Sequence, residues 1–85
     1  MKNDIFNSAK ESRKLTNERR KVLYSLDELL SKTERHIHSS RDKGEFGTSI
    51  WVPEFPEKHI NTVVDLLTEV GYEVWMEDHC LKIDW

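Results

Sequence analysis

Eighty-five residues at 10.1 kDa make one small domain with no room for a separate cofactor lobe, and a lone cysteine, Cys80, excludes an internal disulfide and fits a reducing compartment. A composition of 36% hydrophobic and 34% charged residues excludes disorder throughout, and no apolar run nears the roughly 20 residues of a membrane span. Charge is split: residues 1–50 hold 11 Lys+Arg against 8 Asp+Glu, a net of +3, while residues 51–85 hold 2 against 8, a net of −6, a polarity that favours head-to-tail contact or a charged partner.

The first 43 residues contain no Gly and no Pro and carry a helical period. At about 100° per residue, Leu15, Val22, Leu26, Leu29, Leu30 and Ile37 fall within about a third of the circumference. Ser8 followed by Glu11 is a capping box and predicts a start near Ser8, with Asn3-Asp4 as an earlier alternative. Gly44 after Arg41-Asp42-Lys43 predicts the stop. Thr16-Asn17 joins two poor helix formers and is the predicted point of weakness. Without a break there the helix runs about 35 residues.

Glu45 to Val52 alternates as a strand, with Phe46, Thr48, Ile50 and Val52 on one face and Ser49 and Trp51 on the other. Pro53 ends it, and Pro56 suits the first turn of a second helix, where its missing N–H is no loss. Ile60, Val63, Val64, Leu67 and Val70 form the apolar stripe of that helix, which Gly71 closes. The last residues read as a β-hairpin. A two-residue turn on Asp78-His79 pairs Met76 with Leu81, Val74 with Ile83 and Tyr72 with Trp85, all pointing one way. The opposite face pairs Trp75 with Lys82, a cation–π candidate, and Glu73 with Asp84, which repel. Asp-His is a weaker turn than Asn-Gly, which allows a loop one residue longer.

The order α-β-α-β-β predicts an α+β two-layer sandwich: a three-stranded sheet with both helices on one face and a long projecting N-terminal helix. Residues 1–43 and 44–85 together form one domain. A right-handed crossover through the second helix lays the first strand parallel to a hairpin strand. The other sheet face keeps Trp51 and Trp75 among Ser49, Glu73, Glu77 and Lys82.

Chemistry-bearing patterns are thin. His36 and His38 sit about 200° apart on a helix, and His59, His79 and Cys80 add no metal-ligand spacing, so surface histidines are the plainer reading. A Cys80–His79 nucleophile lacks an orienting third group, and the carboxylates Asp27-Glu28, Glu54/Glu57 and Glu77-Asp78 read as solvated face, first-turn or turn residues. With Gly44, Gly47 and Gly71 as its only glycines, the chain has no phosphate-binding loop. The expectation is a protein that is not an enzyme and takes no cofactor or metal.

Two surfaces remain. Lys10, Arg13, Lys14, Arg20 and Lys21 lie within roughly 120° of one another, a stripe that tracks phosphates or is simply a solvated helix face. Trp51 and Trp75 are either covered by Lys and Glu stems or the centre of a contact surface with an acidic rim of Glu73, Glu77 and Asp84. Length discriminates further. A 35-residue helix spans about 52 Å, against a diameter of roughly 30 Å for a compact domain of this size. The half carrying Leu15 and Val22 therefore projects, leaving an apolar stripe for a partner, while a hairpin bent at Thr16-Asn17 is the alternative. Arg19 and Thr33 interrupt the heptad seam, so the stripe is no clean zipper.

The segment Ile60 to Trp85, with its Leu67-Thr-Glu-Val-Gly71-Tyr72-Glu-Val74 helix end and Leu81-Lys-Ile83-Asp-Trp85 finish, resembles many small phage and prophage proteins of unassigned role. In those chains a polar N-terminal helix, a segment like Lys43 to Phe46 and a short strand precede it. The resemblance runs from about Leu26 onward and implies a bacteriophage origin and a host-cytoplasm setting. No secretory core follows Met1-Lys2, in keeping with that setting.

The resulting expectation is a protein-binding module, a phage accessory protein that forms homo-oligomers or inhibits a host protein, without a membrane partner. Binding falls to Leu15 and Val22, flanked by Arg13, Arg20 and Lys21, and to Trp51 and Trp75. A nucleic-acid binder using Lys10, Arg13, Lys14, Arg20 and Lys21 is the first alternative, and a small virion or assembly component the second.

Overall fold

A computed structural model describes residues 8–85. In chain order the elements are α1 (Ala9–Leu23), α2 (Leu26–Asp42), β1 (Gly47–Trp51), α3 (Glu57–Glu69), β2 (Glu73–Glu77) and β3 (Cys80–Asp84). The α+β class stands, with α2 packed on β1 and α3 on β2, so both lie on one face of the sheet. The Asn3-Asp4 start lies outside the described residues.

The long opening helix of residues 1–43 is corrected to two. Ser8 caps α1 as the sequence predicts, its hydroxyl accepting from the Glu11 N–H at 3.1 Å. Thr16-Asn17 stays helical, and the break falls at Tyr24-Ser25. Ser25 takes an extended backbone, and its hydroxyl accepts from the Glu28 N–H at 3.3 Å, a second capping box. A capping hydroxyl contributes about 1 kcal/mol, whereas the helix-propensity deficits of Thr and Asn are a few tenths each, so the cap decides where the helix divides. The bent-back hairpin at Thr16-Asn17 does not form.

α2 ends at Gly44, whose φ of +77° favours a residue without a side chain, and the Glu45 N–H reaches back to the Ser40 carbonyl. Pro56 serves as the extended cap of α3 and not as its first helical residue.

The sheet is antiparallel throughout, in the order β1-β3-β2. β1 runs in the same direction as β2, as a crossover requires, yet does not pair with it, because β3 lies between. β3 carries Leu81 and Ile83, both fully buried, and its central position sets them between β1, on which α2 packs, and β2, on which α3 packs. The hairpin register holds at Met76–Leu81, Val74–Ile83, Trp75–Lys82 and Glu73–Asp84, and Tyr72 meets Trp85 edge to face at 6.0 Å. The turn is the two-residue kind, with Asp78 at φ 49° and His79 at φ 62°.

The core comprises Leu29, Ile37, Ile50, Val52, Phe55, Ile60, Val63, Leu81 and Ile83. Three expected core positions fail: Met76 pairs with Leu81 as predicted but is 44% exposed on the edge strand β2. Phe46 precedes the β1 ladder and is exposed, and Val70 caps α3 beyond its last turn and is exposed too. Thr33 is buried, its hydroxyl donating to the Leu29 carbonyl at 2.8 Å.

The molecule measures 61 × 26 × 22 Å, with a radius of gyration of 17.4 Å against about 12 Å for a compact chain of this length. That excess is α1, which buries no residue at all.

Candidate functional site

α1 is an arm fastened at one end. Its foot is held by Tyr24, whose ring meets Phe55 edge to face at 5.4 Å and 87°. Arg20 lies over the Tyr24 ring at 5.3 Å and bridges to Glu54 at 2.9 Å. Both ends of that ion pair are half exposed, so it contributes about 0–1 kcal/mol and acts as a guide more than a bolt. Beyond the foot, Leu15 and Val22 are 48% and 59% exposed, and Leu23 joins them. The arm carries six basic residues against Glu11 and Glu18. Lys10, Arg13, Lys14 and Lys21 form no ion pair among the described residues, so of the predicted basic stripe only Arg20 is engaged.

The second surface is the bare face of the sheet. The ladder sets three rows across it: Gly47, Asp84 and Glu73; Ser49, Lys82 and Trp75; Trp51, Cys80 and Glu77. Trp51 and Trp75 stand on opposite edge strands and are 59% and 41% exposed. Trp75 donates to the Glu77 carboxylate at 3.4 Å, and no cation–π contact joins it to Lys82 among the described residues. Trp51 lies edge to face with His79 at 6.0 Å, while its carbonyl accepts from Lys32 Nζ at 3.0 Å. Three carboxylates surround the one ammonium of Lys82, leaving this face acidic. The carboxylates of Glu73 and Asp84 occupy directly paired positions, a like-charge juxtaposition that costs stability.

The arm is fastened elsewhere than on the sheet's bare side: among the described residues its ion pair and aromatic contact run to Glu54 and Phe55 in the loop after β1. The predicted binding residues therefore fall on two surfaces. Phe55 and Glu54, which position the arm, escaped the sequence reading because a loop between two prolines has no period. Ser25 was legible, since Ser25-x-x-Glu28 repeats the pattern at Ser8.

The histidines are dispersed. His36 is pushed below its ordinary pKa by partial burial and then by the cations of Lys32 and Arg35. His38 faces Glu34 at 3.9 Å on its own helix. Among the described residues no three His, Cys, Asp or Glu side chains converge as a metal site. A shallow groove of about 260 Å3 runs between α2 and α3, floored by Leu30, Ile37, Leu66, Leu67 and Tyr72 and rimmed by Glu34 and Arg41. No helix among the described residues is long and apolar enough to cross a membrane.

Compared with family models, with curated proteins and with solved structures, the chain matches none of them.

Proposed function

We propose that this chain is a protein-binding module: a small accessory protein of the bacteriophage type that acts in the host cytoplasm by oligomerising or by occluding a host protein, and not by catalysis. The observation that carries the reading is α1, a fifteen-residue helix with no buried residue that nonetheless displays Leu15, Val22 and Leu23 to water. Exposed apolar area is unfavourable by about 25 cal/mol per Å2, and its removal on docking drives association. The capped start and the anchored foot of the arm keep it preorganised, which lowers the ordering cost of binding.

The test is capture of partners from bacterial lysate together with solution mass across concentration. Leu15→Asp is expected to abolish capture or self-association, and nuclease treatment of the lysate is expected to leave both unchanged. Binding that survives Leu15→Asp, is lost in a Lys14/Arg20/Lys21 triple alanine variant and disappears on nuclease treatment would mean a nucleic-acid partner on the basic stripe.

A further inference from the structure

We infer that the bare acidic face of the sheet is the receptor for α1 of a second copy, so that the chain associates head to tail. The inference rests on the reading of α1 as a binding arm and names its occupant. Three observations support it.

The first is charge pattern. On α1, Lys14, Glu18 and Lys21 share one side with Leu15 and Val22, within about a third of the circumference. Lys14 and Lys21 are about 10 Å apart along the axis, with Glu18 between them. On the sheet, Glu73 and Glu77 are about 13 Å apart along β2, and Lys82 stands level with the midpoint, in the row of Trp75. A plus-minus-plus series thus faces a minus-plus-minus series of nearly the same length, and flexible lysine stems span the difference.

The second is the apolar component. Leu15 and Val22 share the side of the arm that carries Lys14 and Lys21, Trp51 and Trp75 share the sheet face with Glu73 and Glu77, and docking covers both exposed apolar sets at once. The groove between α2 and α3 offers no such match, because Glu34 and Arg41 on its rim cancel in sign.

The third is unrelieved repulsion. Glu73 and Asp84 are paired across the ladder with no cation bonded to either among the described residues, and an incoming lysine relieves that contact. The arm and its receptor are different surfaces of one chain, so the contact is heterologous and generates rings or filaments in place of a two-fold dimer.

Charge exchange tests this on the full chain. Wild type is expected to exceed 10.1 kDa in light scattering, with a mass that rises with concentration and falls with salt. E73K/E77K and K14E/K21E, each alone, should weaken association by about tenfold or more. An equimolar mixture of the two variants, or all four substitutions in one chain, should restore it. E73K/E77K removes the Glu73–Asp84 repulsion but also the Trp75–Glu77 hydrogen bond, so the mass restored on mixing supplies the folding control for both pairs. Unchanged mass in either reversal, or no recovery on mixing, overturns the inference. So does efficient crosslinking of one Cys80 to another in wild type, which would set two sheets face to face. A wild type that stays monomeric at every concentration also overturns it, yet Leu15-dependent capture of a bacterial protein would leave the proposed function standing.

Discussion

Tyr24 and Phe55 touch edge to face at 5.4 Å, and through this contact the arm is joined to the sandwich. Phe55 is buried in the core, whereas Tyr24 is the residue at which α1 ends, so the pair couples a packed interior to an element with none. Edge-to-face aromatic pairs contribute about 0.5–1.5 kcal/mol beyond their buried area. Tyr24→Ala should lower unfolding free energy by about 1–2 kcal/mol, measured by urea denaturation, and should increase the spread of arm orientations seen by small-angle scattering.

The two capping serines should respond differently to the same substitution. Ser25→Ala removes the cap of α2, a helix that carries Leu29 and Ile37 into the core, and is expected to reduce global stability by about 1 kcal/mol. Ser8→Ala removes an equivalent hydrogen bond from a helix that buries nothing. Its effect on the denaturation midpoint should be negligible, while helical circular dichroism falls through fraying of α1.

Truncating the centre should be far more costly than truncating the arm. Leu29 is fully buried between the sheet and its neighbours, and Leu29→Ala is expected to cost about 2–5 kcal/mol through lost transfer energy and a cavity. Leu15→Ala on the arm should stay within about 0.5 kcal/mol. Thermal unfolding of the two variants side by side checks the contrast.

At the hairpin, Asp78 and His79 both adopt positive φ, a backbone that Asn-Gly occupies with less strain. Replacing the pair by Asn-Gly should raise stability by about 1 kcal/mol while leaving the pairing of Trp75 with Lys82 intact, as chemical shifts along β2 and β3 would report.

His36 carries a pH dependence. Its pKa lies below the ordinary 6.5, first from burial and then from Lys32 and Arg35, so the folded state favours the neutral imidazole. Protons bind the unfolded chain more readily, and the stability contributed by His36 is fully present above pH 6.5 and is lost as pH falls through the lowered value. The ring is only partly buried, so the effect is small. Melting temperature should decline between pH 7.5 and 5.5, and His36→Gln should flatten that slope, with the His36 proton resonance titrating below 6.5.

Much of the fold could be read from residue order, for reasons that differ by element. The hairpin register follows from alternation, since a slip of one residue would turn Val74, Met76, Leu81 and Ile83 outward and Glu73 and Lys82 inward. Gly44 and Gly71 mark helix ends because each adopts positive φ, at 77° and 103°. Trp51 and Trp75 fall on the bare face by the same period of two. The division at Tyr24-Ser25 was harder, because two capping boxes and one weak dipeptide compete within a single helical period; the Ser25 cap places the break and the packing of Tyr24 on Phe55 secures it. Phe46 and Val70 fit their stripes yet lie past the ends of the elements that would bury them.

Local chemistry, then, determined the element types, the caps, the hairpin pairing and the separation of basic from acidic halves, because each depends on neighbours within a few positions along the chain. Tertiary packing alone decided that β3 takes the centre of the sheet, that Phe55 enters the core from a loop, and that Arg20 and Tyr24 fasten the arm to the loop after β1. Those outcomes depend on burying Leu81 and Ile83 on the central strand and on contacts between residues more than thirty positions apart, such as Arg20 with Glu54, which no period along the chain encodes.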